Sequence, residues 1–425
     1  MRYNIFIINN LYPVLMKNFV QPSPNLRANF PALLQFDQNQ QVYLDSAATT
    51  QKPIQLIEHN YQLLSTGIAN VHRSGHLLGR TTTHQFEQAR SDVAHFIGAK
   101  NPASIIWTKG TTEAVNLIVA SWAEHQLKKG DEIILSRSEH HANLVPWQQF
   151  SQRHQVAIKW IEIDSEGQLN LSQAATLFSE KTALLAITHV SNVLGAISPL
   201  RQLIDLASVY KTRVFIDGAQ AIAHLPINVN ELGCDFYAFS GHKVYGPSGI
   251  GALYVHPNRF AEMKAWQTGG EMVNQVSYQN STFQPLPLLL EPGTPNIEGA
   301  LGMACSLNYL TKLDLDALWQ QEHQLFQYLV VKCASIPNLE IISALKNNIP
   351  LLSFNIKNIH SFDVANLLDQ QGIYIRSGSH CAQPLLTTLG IQSCLRVSLG
   401  LYNQIEDIDR FYEALIEAID ILSED

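Results

Sequence analysis

Short apolar runs alternate along most of the chain with longer segments whose apolar residues recur every three or four positions, and the two periods predict strands and helices in turn. Ser104-Ile-Ile-Trp-Thr108 reads as a buried strand, Gly110-Thr111-Thr112 as a turn, and 113–122 as an amphipathic helix. Gly130-Asp-Glu-Ile-Ile-Leu135, Val156-Ala-Ile-Lys-Trp-Ile161, Thr182-Ala-Leu-Leu-Ala-Ile187, Arg213-Val-Phe-Ile-Asp217 and Phe236-Tyr-Ala-Phe239 repeat the strand signal, separated mostly by helical stretches. This alternation predicts an α/β fold with a large, mostly parallel sheet covered by helices on both faces.

After Pro292-Gly-Thr-Pro295 the texture changes. A long helical stretch is expected over about 297–336, then a strand at Leu351-Leu-Ser-Phe-Asn-Ile356 and a helix from Ser361. Strands at Ile373-Tyr-Ile375 and Leu395-Arg-Val-Ser-Leu399 and a terminal helix from Gln404 complete a smaller α+β domain. The Pro/Gly-rich stretch 285–295 marks the boundary. The expected organisation is an N-terminal extension over 1–24, a segment over 25–40 packing on the small domain, a large domain over 41–290 and a small one over 291–425. The first residues are apolar, but Asn9, Asn10 and Pro13 interrupt them and no small-residue cleavage site follows, so a disordered extension upstream of the physiological start is expected rather than a signal peptide.

Composition narrows the function classes. The 425 residues are 46% hydrophobic and 15% charged, ordinary for a globular protein of two or three domains. A formal net charge of -8 with no basic cluster argues against direct nucleic-acid binding and for a small-molecule substrate. Cys234, Cys305, Cys333, Cys381 and Cys394 are odd in number and lack CxxC spacing, which speaks against a disulfide framework or zinc knuckle and for a reducing, cytoplasmic setting. No apolar stretch reaches the roughly 18 residues of a membrane span.

The chemistry concentrates in a few motifs. Lys243 lies in Phe239-Ser-Gly-His-Lys-Val-Tyr-Gly-Pro-Ser-Gly-Ile-Gly-Ala252, enclosed by turn-forming residues and preceded by Ser240 and His242. A lysine that forms a Schiff base needs a partly desolvated pocket to lower its pKa and a fixed direction of attack. Asp217 ends an apolar strand 26 residues earlier, where a carboxylate can meet a pyridinium nitrogen, and Gln220 could donate to a phenolic oxygen. The pairing suggests pyridoxal phosphate (PLP). Gly110-Thr111-Thr112-Glu113 joins strand to helix; it satisfies a simple N-cap, but with Ser240 and His242 a phosphate cup is the better account.

Of the adjacent pair His140 and His141, the first is favoured for stacking on a planar cofactor and the second for a structural role, since no third ligand at suitable spacing supports zinc. Four cysteines read as small buried hydrophobes. Cys381 differs, lying in the polar loop Arg376-Ser-Gly-Ser-His380-Cys381-Ala-Gln-Pro384 beside a histidine, a setting that favours thiolate and access. Arg376 and Arg396 could each grip a carboxylate with a bidentate fork, or one could serve a structural ion pair.

Taken together the motifs resemble the cysteine desulfurases and selenocysteine lyases, class V aminotransferase-like enzymes of PLP fold-type I, and most closely the Suf-type and cysteine sulfinate desulfinase-type branch. The resemblance spans roughly 25 to the C-terminus and rests on ordered segments. They include Tyr43-Leu-Asp-Ser-Ala-Ala, Asn70-Val-His-Arg-Ser, Trp107-Thr-Lys-Gly-Thr-Thr-Glu, Glu139-His-His-Ala-Asn, Val190-Ser-Asn-Val-Leu-Gly195, Asp217-Gly-Ala-Gln220, Ser240-Gly-His-Lys243, Gly293-Thr-Pro-Asn296 and Arg376 to Pro384. Ser379 stands where relatives vary, and the first 20 or so residues have no counterpart.

The resemblance implies Lys243 as the Schiff-base lysine, His140 on the PLP ring, Asp217 and Gln220 at its nitrogen and phenolic oxygen, and Asn192 touching cofactor and substrate. It implies Thr111, Thr112, Ser240 and His242 on the phosphate, with Thr294 reaching in from a second subunit of a homodimer. Arg396, assisted by Arg376, would anchor the substrate carboxylate. Cys381 would take sulfur from L-cysteine as a persulfide, leaving L-alanine, and a separate acceptor protein would carry the sulfur to iron–sulfur cluster or thio-cofactor synthesis. Selenocysteine and cysteine sulfinate are the alternative substrates. Lys243, Asp217, His140 and Cys381 occurring together argue against a non-catalytic scaffold.

Overall fold

The computed structural model describes residues 24–423, so all but the last residue of the extension expected over 1–24 lies outside them. Seven strands form the central sheet: β1 (Ile105–Thr108), β2 (Glu132–Ser136), β3 (Ala157–Ile161), β4 (Thr182–Thr188), β5 (Arg213–Asp217), β6 (Phe236–Ser240) and β7 (Gly251–Val255). Their order is β1-β7-β6-β5-β4-β2-β3, and only β7 runs against the others. Strand β7 has no counterpart in the expected elements, because small residues blur its apolar signal: Gly251 and Ala252 follow closely on the turn-rich Gly246-Pro-Ser-Gly249.

Side chains alternate across the sheet as the pleat requires. Ile134, Leu185, Ile187, Ile216, Tyr237 and Phe239 enter one buried cluster, whereas Ile133, Leu135, Leu184, Ala186, Phe215 and Phe236 enter another on the opposite face. Burial on both faces explains why these strands read as continuous apolar runs. The helix expected over 113–122 forms as α1 (Thr111–Ile118), followed without a break by a π-helical turn at Val119–Ala123.

The smaller sheet has the order β8-β9-β11-β10, made of β8 (Leu339–Ile341), β9 (Leu351–Ile356), β10 (Arg376–Gly378) and β11 (Cys394–Ser398), all antiparallel. The helical stretch expected over 297–336 is two helices, α2 (Ile297–Leu310) and α3 (Leu315–Ala334), because Asp314 caps a new start by accepting from the Ala317 N–H. Helix α2 packs into the core of the large sheet although it follows the boundary expected at 290/291, while Val42 and Leu44 enter the small-domain core. The segment over 25–40 touches both units: Arg27 pairs with Asp407, and the Phe30 ring meets Tyr245, Tyr309 and Tyr402. Among the described residues no helix is long and apolar enough to cross a membrane.

One buried ion pair ties the helix Leu77–Phe96 to β1. Arg90 holds Glu291 through both guanidinium ends at 2.6 and 2.9 Å and donates to the Ile105 carbonyl, while Glu291 accepts the Trp107 N–H at 2.7 Å. Arg90→Ala would leave a buried carboxylate without its cation, a loss of about 3–5 kcal/mol. Urea denaturation should show a loss of that size, and Arg90→Met/Glu291→Gln should recover part of it.

Candidate active site

Every parallel strand but β3 delivers a residue to one cleft at the carboxyl end of the sheet, where open α/β sheets bind ligands. The cleft has a volume of about 280 Å³ and is closed from the small-domain side by Arg376, His380, Cys381 and Arg396. Lys243, Thr111, Thr112, His140, Asn192, Asp217, Gln220, Ser240 and His242 also line it. Twelve of the thirteen residues singled out from sequence therefore converge. Thr294 does not line the cleft of its own chain; it is exposed, and its hydroxyl oxygen accepts from Asn70 Nδ2 at 3.4 Å.

At one end of the cleft, Gly110 precedes α1 with φ of 150°, a conformation that side chains rarely adopt, and a Cβ there would meet Ser240 Oγ at 3.0 Å. The hydroxyl of Ser240 accepts the Thr111 N–H at 2.9 Å and lies 3.0 Å from Thr111 Oγ1. Capping of α1 thus comes from the end of β6, 129 residues away, and the hydroxyls gather at a helix N-terminus that favours anions.

Asp217 is buried in the same cleft. Burial raises its carboxyl above the ordinary value, opposed by the Ala219 N–H and by Lys243. Burial lowers Lys243 to about 8; Asp217 and Cys381 act to raise it and the two arginines to lower it. Gly218 must lack a side chain because a Cβ would strike the Tyr237 ring at 2.2 Å. Gln220 donates from Nε2 to the Ala47 carbonyl at 2.9 Å, which orients the amide and leaves its second hydrogen for the cleft.

His140 accepts the Ala142 N–H on Nδ1 at 3.0 Å, which puts its proton on Nε2. Burial first, then Lys243, holds it down to about 3, so it is a neutral flat ring. Immediately before it Glu139, fully buried, takes hydrogen bonds from Ser136 Oγ, Asn143 Nδ2 and the Thr188 N–H. Burial pushes that carboxyl up to about 7. Glu139 fastens the His140 loop to β4, and nothing in its local sequence announces it.

Arg376 and Arg396 are direct cross-strand partners on β10 and β11. Both bind Asp45, which sequence reasoning did not single out: Arg376 Nε and Nη2 approach its Oδ2 at 3.0 and 2.9 Å, and Arg396 Nη2 its Oδ1 at 3.1 Å. Arg396 also donates to the Asn192 carbonyl at 3.0 Å. The choice between carboxylate grip and structural ion pair therefore has a mixed answer, since both arginines are ion-paired at the edge of the cleft.

Cys381 is exposed at the lip, while Cys234, Cys333 and Cys394 are buried. The histidine beside it does not supply the expected positive charge: His380 donates from Nε2 to the Cys394 carbonyl, and burial lowers it to about 3. The cationic side chains that share the cleft with Cys381 are Lys243, Arg376 and Arg396. Four donors converge on the His242 carbonyl, from the Thr50 N–H, both threonine hydroxyls of Thr49 and Thr50, and Lys52 Nζ, and so anchor the Lys243 turn.

The donor set fits PLP. Hydroxyls at a helix N-terminus suit a phosphate, Asp217 a ring nitrogen, and a lysine amine of lowered pKa a carbonyl. Asn192 Oδ1 and Arg396 Nε are buried with no hydrogen-bond partner among the described residues, polar atoms that a ligand would satisfy. Among those residues no group of three or more His, Cys, Asp or Glu side chains is placed to hold a metal.

The Aminotransferase class-V family model matches residues 42–411. A probable cysteine desulfurase of Pseudomonas putida is 42% identical over 402 residues, covering 95% of this chain and 99% of that protein. The crystal structure of the cysteine desulfurase CsdA from Escherichia coli is similar with a TM-score of 0.88 and 37% identity, over 95% of this chain and 100% of the other. The apo cysteine desulfurase of Thermococcus onnurineus NA1 gives 0.90 at 33% identity, over 95% and 99%.

An amine with a pKa near 8 acquires its reactive neutral form as pH rises past that value. In protein without cofactor, acetylation of Lys243 followed by peptide mass spectrometry should therefore climb with a midpoint near 8, below the roughly 10.4 of an ordinary lysine. Asp217→Asn removes a charge that raises the lysine, so its midpoint should fall lower still.

Proposed function

The chain belongs to the PLP-dependent class-V aminotransferases and, within them, to the cysteine desulfurases, and from that premise we propose that it takes sulfur from L-cysteine onto Cys381 as a persulfide and releases L-alanine. The observation that carries this is the exposed Cys381 at the lip of the cleft that Lys243 enters.

Thr111, Thr112, Ser240 and His242 would hold the phosphate of PLP, Asp217 its ring nitrogen, Gln220 its phenolic oxygen and His140 one face of its ring, with Asn192 serving cofactor and substrate. When bound, PLP supplies an electron sink for charge developing on the substrate. Asp217 supports that role as a buried carboxylate, and neutral His140 adds no competing cation. Arg396 orients the substrate through its carboxylate, with Arg376 beside it and Asp45 holding both. Lys243 Nζ moves a proton at the substrate Cα, a task suited to an amine whose pKa lies near working pH.

Cys381 Sγ, deprotonated, attacks the substrate sulfur. A sulfur–sulfur bond forms, the Cβ–S bond breaks with its electron pair returning to carbon, and protonation completes alanine. Cysteine and a thiol thus become alanine and a persulfide with atoms and electrons in balance. Serine could not replace Cys381, because the electrophile is sulfur. Thr294, exposed beside Asn70, serves the cleft of a second copy of this chain, so the working unit is a homodimer. A separate protein accepts the sulfur, since the short Cys381 loop limits its reach, and the product feeds iron–sulfur cluster or thio-cofactor synthesis in the cytoplasm.

Purified holoenzyme given L-cysteine should form alanine and gain one sulfur atom on the Cys381 peptide. Cys381→Ala should lower alanine release by at least about 100-fold, within the range for losing a covalent nucleophile. Full alanine release by that variant would sink the persulfide mechanism.

A further inference from the structure

We infer that His141 is a positioning residue whose backbone and ring together latch the Cys381 loop at the lip of the cleft, an inference that rests on Cys381 being the sulfur acceptor. His380 and Cys381 have φ of 50° and 54°, two successive non-glycine residues in the left-handed region. That conformation persists only where its surroundings impose it.

The restraints divide at Cys381. Before it, Asn192 Nδ2 donates to the His380 carbonyl at 2.7 Å and the His380 ring donates to the Cys394 carbonyl at 2.9 Å. At Cys381 and beyond it, His141 supplies two bonds: its N–H donates to the Cys381 carbonyl at 2.8 Å, and its Nε2 accepts the Gln383 N–H at 3.2 Å. The Ala382 N–H, bonded to the Ser379 carbonyl at 2.9 Å, closes the turn from within, and the Ala382 carbonyl accepts the Leu386 N–H at 3.1 Å.

Accepting at Nε2 requires the neutral ring protonated on Nδ1, and burial lowers the pKa of His141 in that direction. The two adjacent histidines therefore divide the work. His140 borders the cleft, and His141, the next residue on a loop anchored to the large sheet by Glu139, holds the small-domain loop that carries the thiol. Displacement of Sγ by an ångström would spoil its line of attack on the substrate sulfur.

His141→Phe keeps a ring and removes the acceptor; His141→Gln restores an oxygen near the position of Nε2. Hydrogen–deuterium exchange of the peptide over 379–386 in the holoenzyme should be roughly tenfold faster in the Phe variant. Its kcat on L-cysteine should fall roughly tenfold with KM changed less than about twofold, consistent with a misplaced group. Turnover of L-cysteine sulfinate, whose sulfur leaves without a thiol nucleophile, should change less than about twofold. His141→Gln should recover at least half of the loss on cysteine. Unchanged exchange in the Phe variant, equal losses on both substrates, or no recovery by Gln would each overturn the latch. His141→Ala replaces the Phe variant if that one does not fold. Wild-type enzyme forming no persulfide would defeat the functional reading, while the exchange measurement still judges the latch.

Discussion

Two arginines placed directly opposite each other on neighbouring antiparallel strands repel, and the carboxylate of Asp45 is what allows Arg376 and Arg396 to stay there. Asp45 is itself bridged to Ser398 at the end of the same strand, and the chain just before it pairs Val42 and Tyr43 with Ile373 and Tyr374. One acid therefore binds the segment before the large sheet, the small sheet and the mouth of the cleft into a single arrangement. Through the bond from Arg396 to the Asn192 carbonyl, and from Asn192 to the His380 carbonyl, the same cluster reaches the loop that presents Cys381.

The charge pattern of the cleft follows from burial more than from the identity of its residues. His140, His242 and His380 are all held below their ordinary values, first by desolvation, so three potential cations are neutral rings. The positive charge that remains comes from two guanidiniums, and Lys243 stands between charged and neutral with Asp217 drawing it toward the former. A site built this way can hold one anionic group at the helix N-terminus and another beside the two arginines while keeping an amine ready near neutral pH.

Much of the fold was legible because it rests on local patterns. Strands buried on both faces must be apolar throughout, and β4, β5 and β6 show that plainly. Strand β7 was hidden by its glycine and alanine, and the break between α2 and α3 depended on a single capping aspartate. The residues that line the cleft were legible for a related reason: a lysine framed by turn residues, an acid ending a strand and a Gly-Thr-Thr helix start each stand out within a few positions.

Asp45, Glu139 and the Thr49–Thr50–Lys52 group were not legible, because their work is done on partners distant in sequence or on backbone atoms; His141 was legible as a structural residue, but its partners were not. The sequence by itself determined which residues meet in the cleft and the enzyme family that the chain belongs to. Tertiary structure decided their charge and their aim: burial turned the histidine beside Cys381 neutral, and strand register set the two arginines face to face. The His141 N–H donates to the carbonyl of Cys381, 240 residues away, and its ring accepts from the same loop. Dielectric surroundings and through-space contacts exist only once the chain has folded, and no local run of residues encodes them.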